Sequence, residues 1–98
     1  MGATLTPAAF KRTLSHPVPP KALDAPLRAL WWVKKGDWDK AHRIVMDEHS
    51  RDAAWVHAHL HRVEGDEGNA GYWYRHAKRR PASGAFEAEW DAIVAAML

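Results

Sequence analysis

Gly36-Asp37-Trp38-Asp39-Lys40-Ala41 and Gly65-Asp66-Glu67-Gly68-Asn69-Ala70 decide the reading of this chain. The two hexapeptides carry Gly, Asp and Ala at matching positions, at an offset of 29 residues. Each shared residue has a local role. Gly takes the left-handed conformation that closes a helix C-terminus, and Asp caps the helix that follows. A small Ala at the start of that helix lets two helix axes approach closely. A Gly-Asp turn between two apolar stripes reads as a helical hairpin, and here the turn occurs twice.

Working outward, the stripes agree. Asp24 and Pro26 open a helix with Leu23, Leu27, Leu30 and Trp31 on one face, and Gly36 stops it. After Asp37, Trp38, Ala41, Ile44 and Val45 form the next apolar face, through Ser50. A fourth helix from Asp52 points Ala53, Val56, Leu60 and Val63 inward and ends at Gly65. Asp66 or Asn69 caps a fifth, carrying Ala70, Trp73, Tyr74 and Ala77, with Pro81 just beyond its end. Ser83 is the expected cap of a sixth, whose stripe is Phe86, Trp90, Ile93, Val94 and Met97. Upstream, Thr6-Pro7 starts a short helix over 7–15, and His16-Pro17-Val18-Pro19-Pro20 is an extended connector.

The expected fold is therefore all-α: five to six short antiparallel helices in one domain, residues 1–98. Residues 1–23 form a short helix and Pro-rich connector, 24–81 two helical hairpins, and 82–98 a C-terminal capping helix. Composition supports this, with 18 Ala against 11 Val, Ile and Thr together. The absence of Cys excludes disulfides, Cys-ligated zinc, iron–sulfur clusters and a thiol nucleophile. Six Trp supply the dense core that an unstapled 98-residue chain needs.

The turn and the residues after it resemble the tetratricopeptide (TPR) superfamily. Gly36-Asp37-Trp38-Asp39-Lys40-Ala41 is similar to its turn and the small residue opening its second helix. Ala70, Trp73, Tyr74 and Ala77 are similar to the Ala-x-x-Trp-Tyr-x-x-Ala pattern of the related Sel1-like repeats. Pro81 falls near the place of the TPR terminal proline. The offset is shorter than the roughly 34 residues of a TPR unit, so the resemblance implies TPR-like hairpins and not a TPR array. It implies a helical binding or scaffold module with a protein partner. The run from His57 to Tyr74 also resembles small bacterial proteins, a likeness that implies no activity.

Net charge is only +2, too little to imply DNA. Tyr72-Trp73-Tyr74-Arg75-His76-Ala77-Lys78-Arg79-Arg80 interleaves aromatics with base as single-strand binders do. Yet the stripe assigns Trp73 and Tyr74 to the core, and the cations oppose a helix dipole, so nucleic acid is not expected. No apolar run approaches the length of a membrane span, and no secretory segment is seen, so a cytoplasmic protein is expected. Met1-Gly2-Ala3-Thr4-Leu5-Thr6 formally fits the short N-myristoylation pattern, which chance and cloning remnants also produce.

The seven histidines carry the chemistry. On the fourth helix His57, His61 and Glu64 point within about 60° of one another, beside the apolar stripe. Two imidazoles at i, i+4 and a carboxylate can grip a divalent ion such as zinc, iron or nickel, with His42 the expected fourth ligand. The spacing is not His-Glu-x-x-His, so no zinc-protease mechanism follows. The alternative is that these histidines pack structurally, hydrogen-bonded to carboxylates or carbonyls. His59, with Trp55 and Arg62, points to the other flank. His49 and His76 suit helix C-termini. A His–carboxylate base is conceivable, but no Ser or Thr is placed as its nucleophile, so the sequence leans against catalysis without deciding it.

Two function classes follow. One is a non-enzymatic scaffold gripping a protein partner with Trp32, Trp55 and Arg62. The other is a small metal- or ligand-binding protein using His57, His61, Glu64 and His42. No cofactor is required by the sequence. A homodimer is expected, because two hairpins leave an uncovered end.

Overall fold

The computed structural model describes residues 5–98, and among them the chain is all-α. The myristoylation pattern lies mostly outside the described residues. Six helices follow in order: α1 (Pro7–Arg12), α2 (Ala25–Lys34), α3 (Trp38–Met46), α4 (Arg51–Val63), α5 (Glu67–Ala77) and α6 (Phe86–Met97). No helix of the described residues is long and apolar enough to cross a membrane.

The twin turns behave as their chemistry demands. Gly36 and Gly65 take φ of +86° and +88°, where a side chain would be strained. Asp37 and Asp66 then accept hydrogen bonds from the backbone N–H groups of Lys40 and Asn69. Thus α2 packs on α3 and α4 on α5 across the two turns. Ala41 and Ala70 are buried, as the close approach of helices requires.

Helix α4 is central, with contacts to α2, α3, α5 and α6. Eight of its thirteen residues are buried, so it presents side chains to partners on several sides. Indole N–H groups lock the neighbours in place. Trp38 donates to the Leu60 carbonyl at 2.8 Å, tying α3 to α4, and Trp90 donates to the Leu30 carbonyl at 2.8 Å, tying α6 to α2. Buried indoles need such partners, and these two find backbone carbonyls. The main core joins Phe10, Leu27, Leu30, Trp31, Val56, Leu60, Trp90 and Ile93.

Several ends differ from expectation. The first helix is α-helical only to Arg12, and Thr13–Ser15 tighten into a 3₁₀ turn before the prolines. Helix α3 ends at Met46, short of Ser50, which instead caps α4, so that helix starts at Arg51, one residue before Asp52. Ser83 does not cap α6. Gly84 turns the chain at φ +86°, and α6 starts from Ala85 with no side-chain cap. Phe86 at its first turn is 47% exposed, because the buried side of α6 includes Glu89 instead.

Candidate metal centre

The i, i+4 spacing on α4 sets His57 and His61 side by side, their rings 4.9 Å apart and nearly parallel. Helix α3 brings His42 against them. His57 Nε2 and His42 Nε2 lie 3.1 Å apart, and one ring nitrogen of each of the three residues lies within 4.8 Å of the others. His42 comes from the first hairpin and His57 and His61 from the second, so the group forms only when the two pack.

Two indoles wall the cluster. Trp38, fixed by its bond to Leu60, stacks on His42 at 4.7 Å and 11°. Trp73 of α5 stacks on His57 at 4.0 Å and 11°. These walls keep water off His57, which is 4% exposed.

Electrostatics follow from that burial. Desolvation, with His42 and His61 nearby, pushes the His57 imidazole down to about 4. Desolvation and His61 also lower His42, against the opposing pull of Glu64 and Asp39. At neutral pH His57 is therefore an uncharged ring, the form in which imidazole binds metal. Glu64 sits at the rim, where its carboxylate accepts from His61 Nδ1 at 2.6 Å. That bond fixes the His61 tautomer and leaves Nε2 as the donor atom. Glu64 thus orients a ligand, while its carboxylate, with His61 and Asp66, forms a second, more exposed grouping.

The 3.1 Å between the Nε2 atoms suits a hydrogen bond between neutral rings. It also suits two ligands on one ion: with metal–nitrogen bonds of about 2.0–2.1 Å, neighbouring nitrogens stand roughly 3.3 Å apart in a tetrahedron. His57 Nδ1 is buried without a hydrogen-bond partner. Such orphaned polar atoms are few in folded proteins.

Of the four expected ligand residues, His42, His57 and His61 are brought together, whereas Glu64 reaches only His61, from the rim. The expected partner-face residues each contact a group of the chain itself. Trp32 lies beneath the Lys40 ammonium at 4.2 Å, and Trp55 beneath the Arg79 guanidinium at 3.8 Å. Arg62 is turned toward Glu89 at 3.2 Å and to the Gly84 carbonyl. Each of the three is engaged within the chain.

Sequence reasoning missed a second network. On the other flank of α4, buried Glu89 of α6 accepts from His59 Nδ1 at 2.7 Å, from Arg62, and from the Tyr74 hydroxyl. Burial alone would raise the Glu89 carboxyl, but the bonds from His59 and Tyr74 and the Arg62 charge bring it below its ordinary value. Burial and the Glu89 carboxylate push the Tyr74 hydroxyl well above its ordinary range. The available signal was His59 and Arg62 facing one flank, which required an acid there.

No protein-family model matches the chain, and comparison with curated proteins and with solved structures finds no match.

Proposed function

We propose that this protein binds one divalent transition-metal ion through His42, His57 and His61, with Glu64 orienting His61. The observation that carries this reading is the convergence of three imidazole nitrogens from two hairpins within 4.8 Å. Three features support it. Burial holds the His57 ring neutral at physiological pH, Glu64 supplies the carboxylate that metal-bound histidines usually donate to, and nitrogen donors favour zinc, nickel or copper over magnesium or calcium. Three protein ligands leave a coordination position for water or a ligand from outside. The matched Gly-Asp turns support reading the α2–α3 and α4–α5 pairs as TPR-like hairpins that scaffold the site.

With an ion at Nε2, the His57 proton would sit on Nδ1, which has no acceptor in the structure. An unpaired buried N–H costs about 1–3 kcal/mol, so affinity falls below that of a site with every second-shell bond made.

Calorimetric titration of the untagged, metal-stripped chain with zinc tests the proposal. One ion per chain is expected. His61→Ala abolishes binding, and Glu64→Gln weakens it about 10–100-fold. Absence of saturable binding, or unchanged binding in His61→Ala, overturns it.

A further inference from the structure

The longest run of cations in the chain, Lys78-Arg79-Arg80, has no part in the metal reading. Helix α5 stops at Ala77, and Lys78 turns the backbone at φ +58°. Beyond that turn Arg79, Arg80 and Ser83 line a cavity of about 400 Å³, together with Trp55 of α4. Ala82, Ala88 and Ala92 supply its apolar wall. The Arg79 guanidinium already lies over the Trp55 ring, at 3.8 Å. Stacking of this kind removes rotamer freedom, so part of the ordering that a ligand demands is complete before it arrives. Neither guanidinium makes an ion pair among the described residues. Glu89 also borders the cavity, but its carboxylate is taken up by His59, Arg62 and Tyr74, and the Arg62 charge balances it. Two positive charges thus border the cavity with no free carboxylate among the residues that line it.

We propose that this cavity binds a small phosphomonoester with an apolar body, its phosphoryl group held by the Arg79 and Arg80 guanidiniums and the Ser83 hydroxyl. Charge selects the anion: a phosphomonoester carries about −1.5 to −2 near pH 7, which two guanidiniums match, whereas a carboxylate carries only one charge. Arginine keeps its charge throughout the physiological range, so the match does not hang on any titration. Donor count agrees. Each guanidinium is a planar fork that pairs with two oxygens, and two forks with a hydroxyl call for the three terminal oxygens of a phosphoryl group rather than the two of a carboxylate. The size leaves room for more than the phosphoryl group, since small-molecule sites run from about 300 to 1,000 Å³. The alanine wall offers no hydrogen-bonding side chain, so the body it suits is apolar and not a polyol. None of the three clustered imidazoles lines the cavity, and binding here needs no metal ion.

The test is a titration of the ¹⁵N-labelled full chain with phenyl phosphate and with benzoate, at neutral pH and physiological salt, without metal. Benzoate has the same ring with one charge and two oxygens. Phenyl phosphate should shift the Trp55 indole and Arg80 side-chain resonances saturably, and benzoate should bind at least about tenfold more weakly. Arg80→Gln removes one fork without touching the Arg79 stack, and should weaken phenyl phosphate at least about tenfold. Arg80 is exposed, so this variant keeps the fold. Lys78, the third cation of the run, does not line the cavity, and Lys78→Gln should leave the affinity within about twofold. Equal binding of benzoate, shifts that never saturate, or full affinity in Arg80→Gln would overturn the proposal. So would oligothymidylate binding more tightly than phenyl phosphate and losing as much affinity in Lys78→Gln as in Arg80→Gln, because the run would then be an open surface for a polyanion and not a site.

Discussion

His57 and His59 stand two residues apart on α4, about 200° around the helix, and their surroundings differ in kind. His59 faces an ionised carboxylate backed by an arginine and a tyrosine. His57 faces two other imidazoles and an indole, and one of its nitrogens has no partner. Both rings are buried. The comparison teaches that burial alone does not say what a histidine is for. Around Glu89 the polar groups complete one another, and the cluster holds α4, α5 and α6 together. Around His57 they do not, and the proposed cation would supply the partner that the three imidazoles lack.

The difference between the two flanks has three measurable consequences. The largest belongs to Glu89→Ala. It leaves His59, Arg62 and Tyr74 facing an empty site, and should cost about 3–5 kcal/mol in urea unfolding, as loss of one partner from a buried charged network does. A cost below about 1 kcal/mol would mean that the network does not hold the helices.

The second is the pH dependence of the metal-free chain. The folded His57 imidazole sits at about 4, below its unfolded value of 6.5. The unfolded chain therefore takes up a proton first as pH falls. The stability associated with the neutral ring is complete above pH 6.5 and drains away between about 6.5 and 4, on the order of 3 kcal/mol in all. His42, also lowered, acts in the same direction. Glu89, lowered from 4.5, retains its contribution down to that value and loses it as pH falls further, through its folded value. Unfolding free energies measured from pH 7.5 to 4 should show the upper window in the parent chain and a flattened one in His57→Phe. Coincident curves would refute the neutral-cluster account.

The smallest effect is His57→Phe itself at pH 7.5. Exchanging an under-partnered ring for an apolar one of similar shape should change stability by no more than about 1 kcal/mol in either direction. A loss above about 2 kcal/mol would place His57 among the structural residues, beside His59.

The local chemistry of the hairpins was legible in the sequence because it is short-range. Gly36, Asp37, Gly65 and Asp66 act on residues within one turn, and Ala41 and Ala70 mark close approach by their size alone. The pairing of His57 with His61 followed from helical spacing, and His42 from the tight turn that returns α3 alongside. Glu89 was not legible, because its partners lie 15 to 30 residues away on α4 and α5. The apolar stripe of α6 suggested Phe86 as the buried residue. The helix instead rolls so that Glu89 reaches Arg62, and the Arg62 guanidinium covers the Phe86 ring at 4.8 Å. Charge satisfaction across helices outweighed the stripe at that position. Trp32 and Trp55 show the same limit: a tryptophan on an open-looking face found a lysine or arginine of its own chain.

Which nitrogens receive the proposed ion is read directly by ¹⁵N imidazole spectra of the metal-free chain before and after one equivalent of zinc. The ring nitrogens of His42, His57 and His61 should shift together and stop shifting at one equivalent, while those of His59, clamped to Glu89, stay in place. Shifts spread over the exposed His16, His49 and His76, or no shift at His57, would contradict the account.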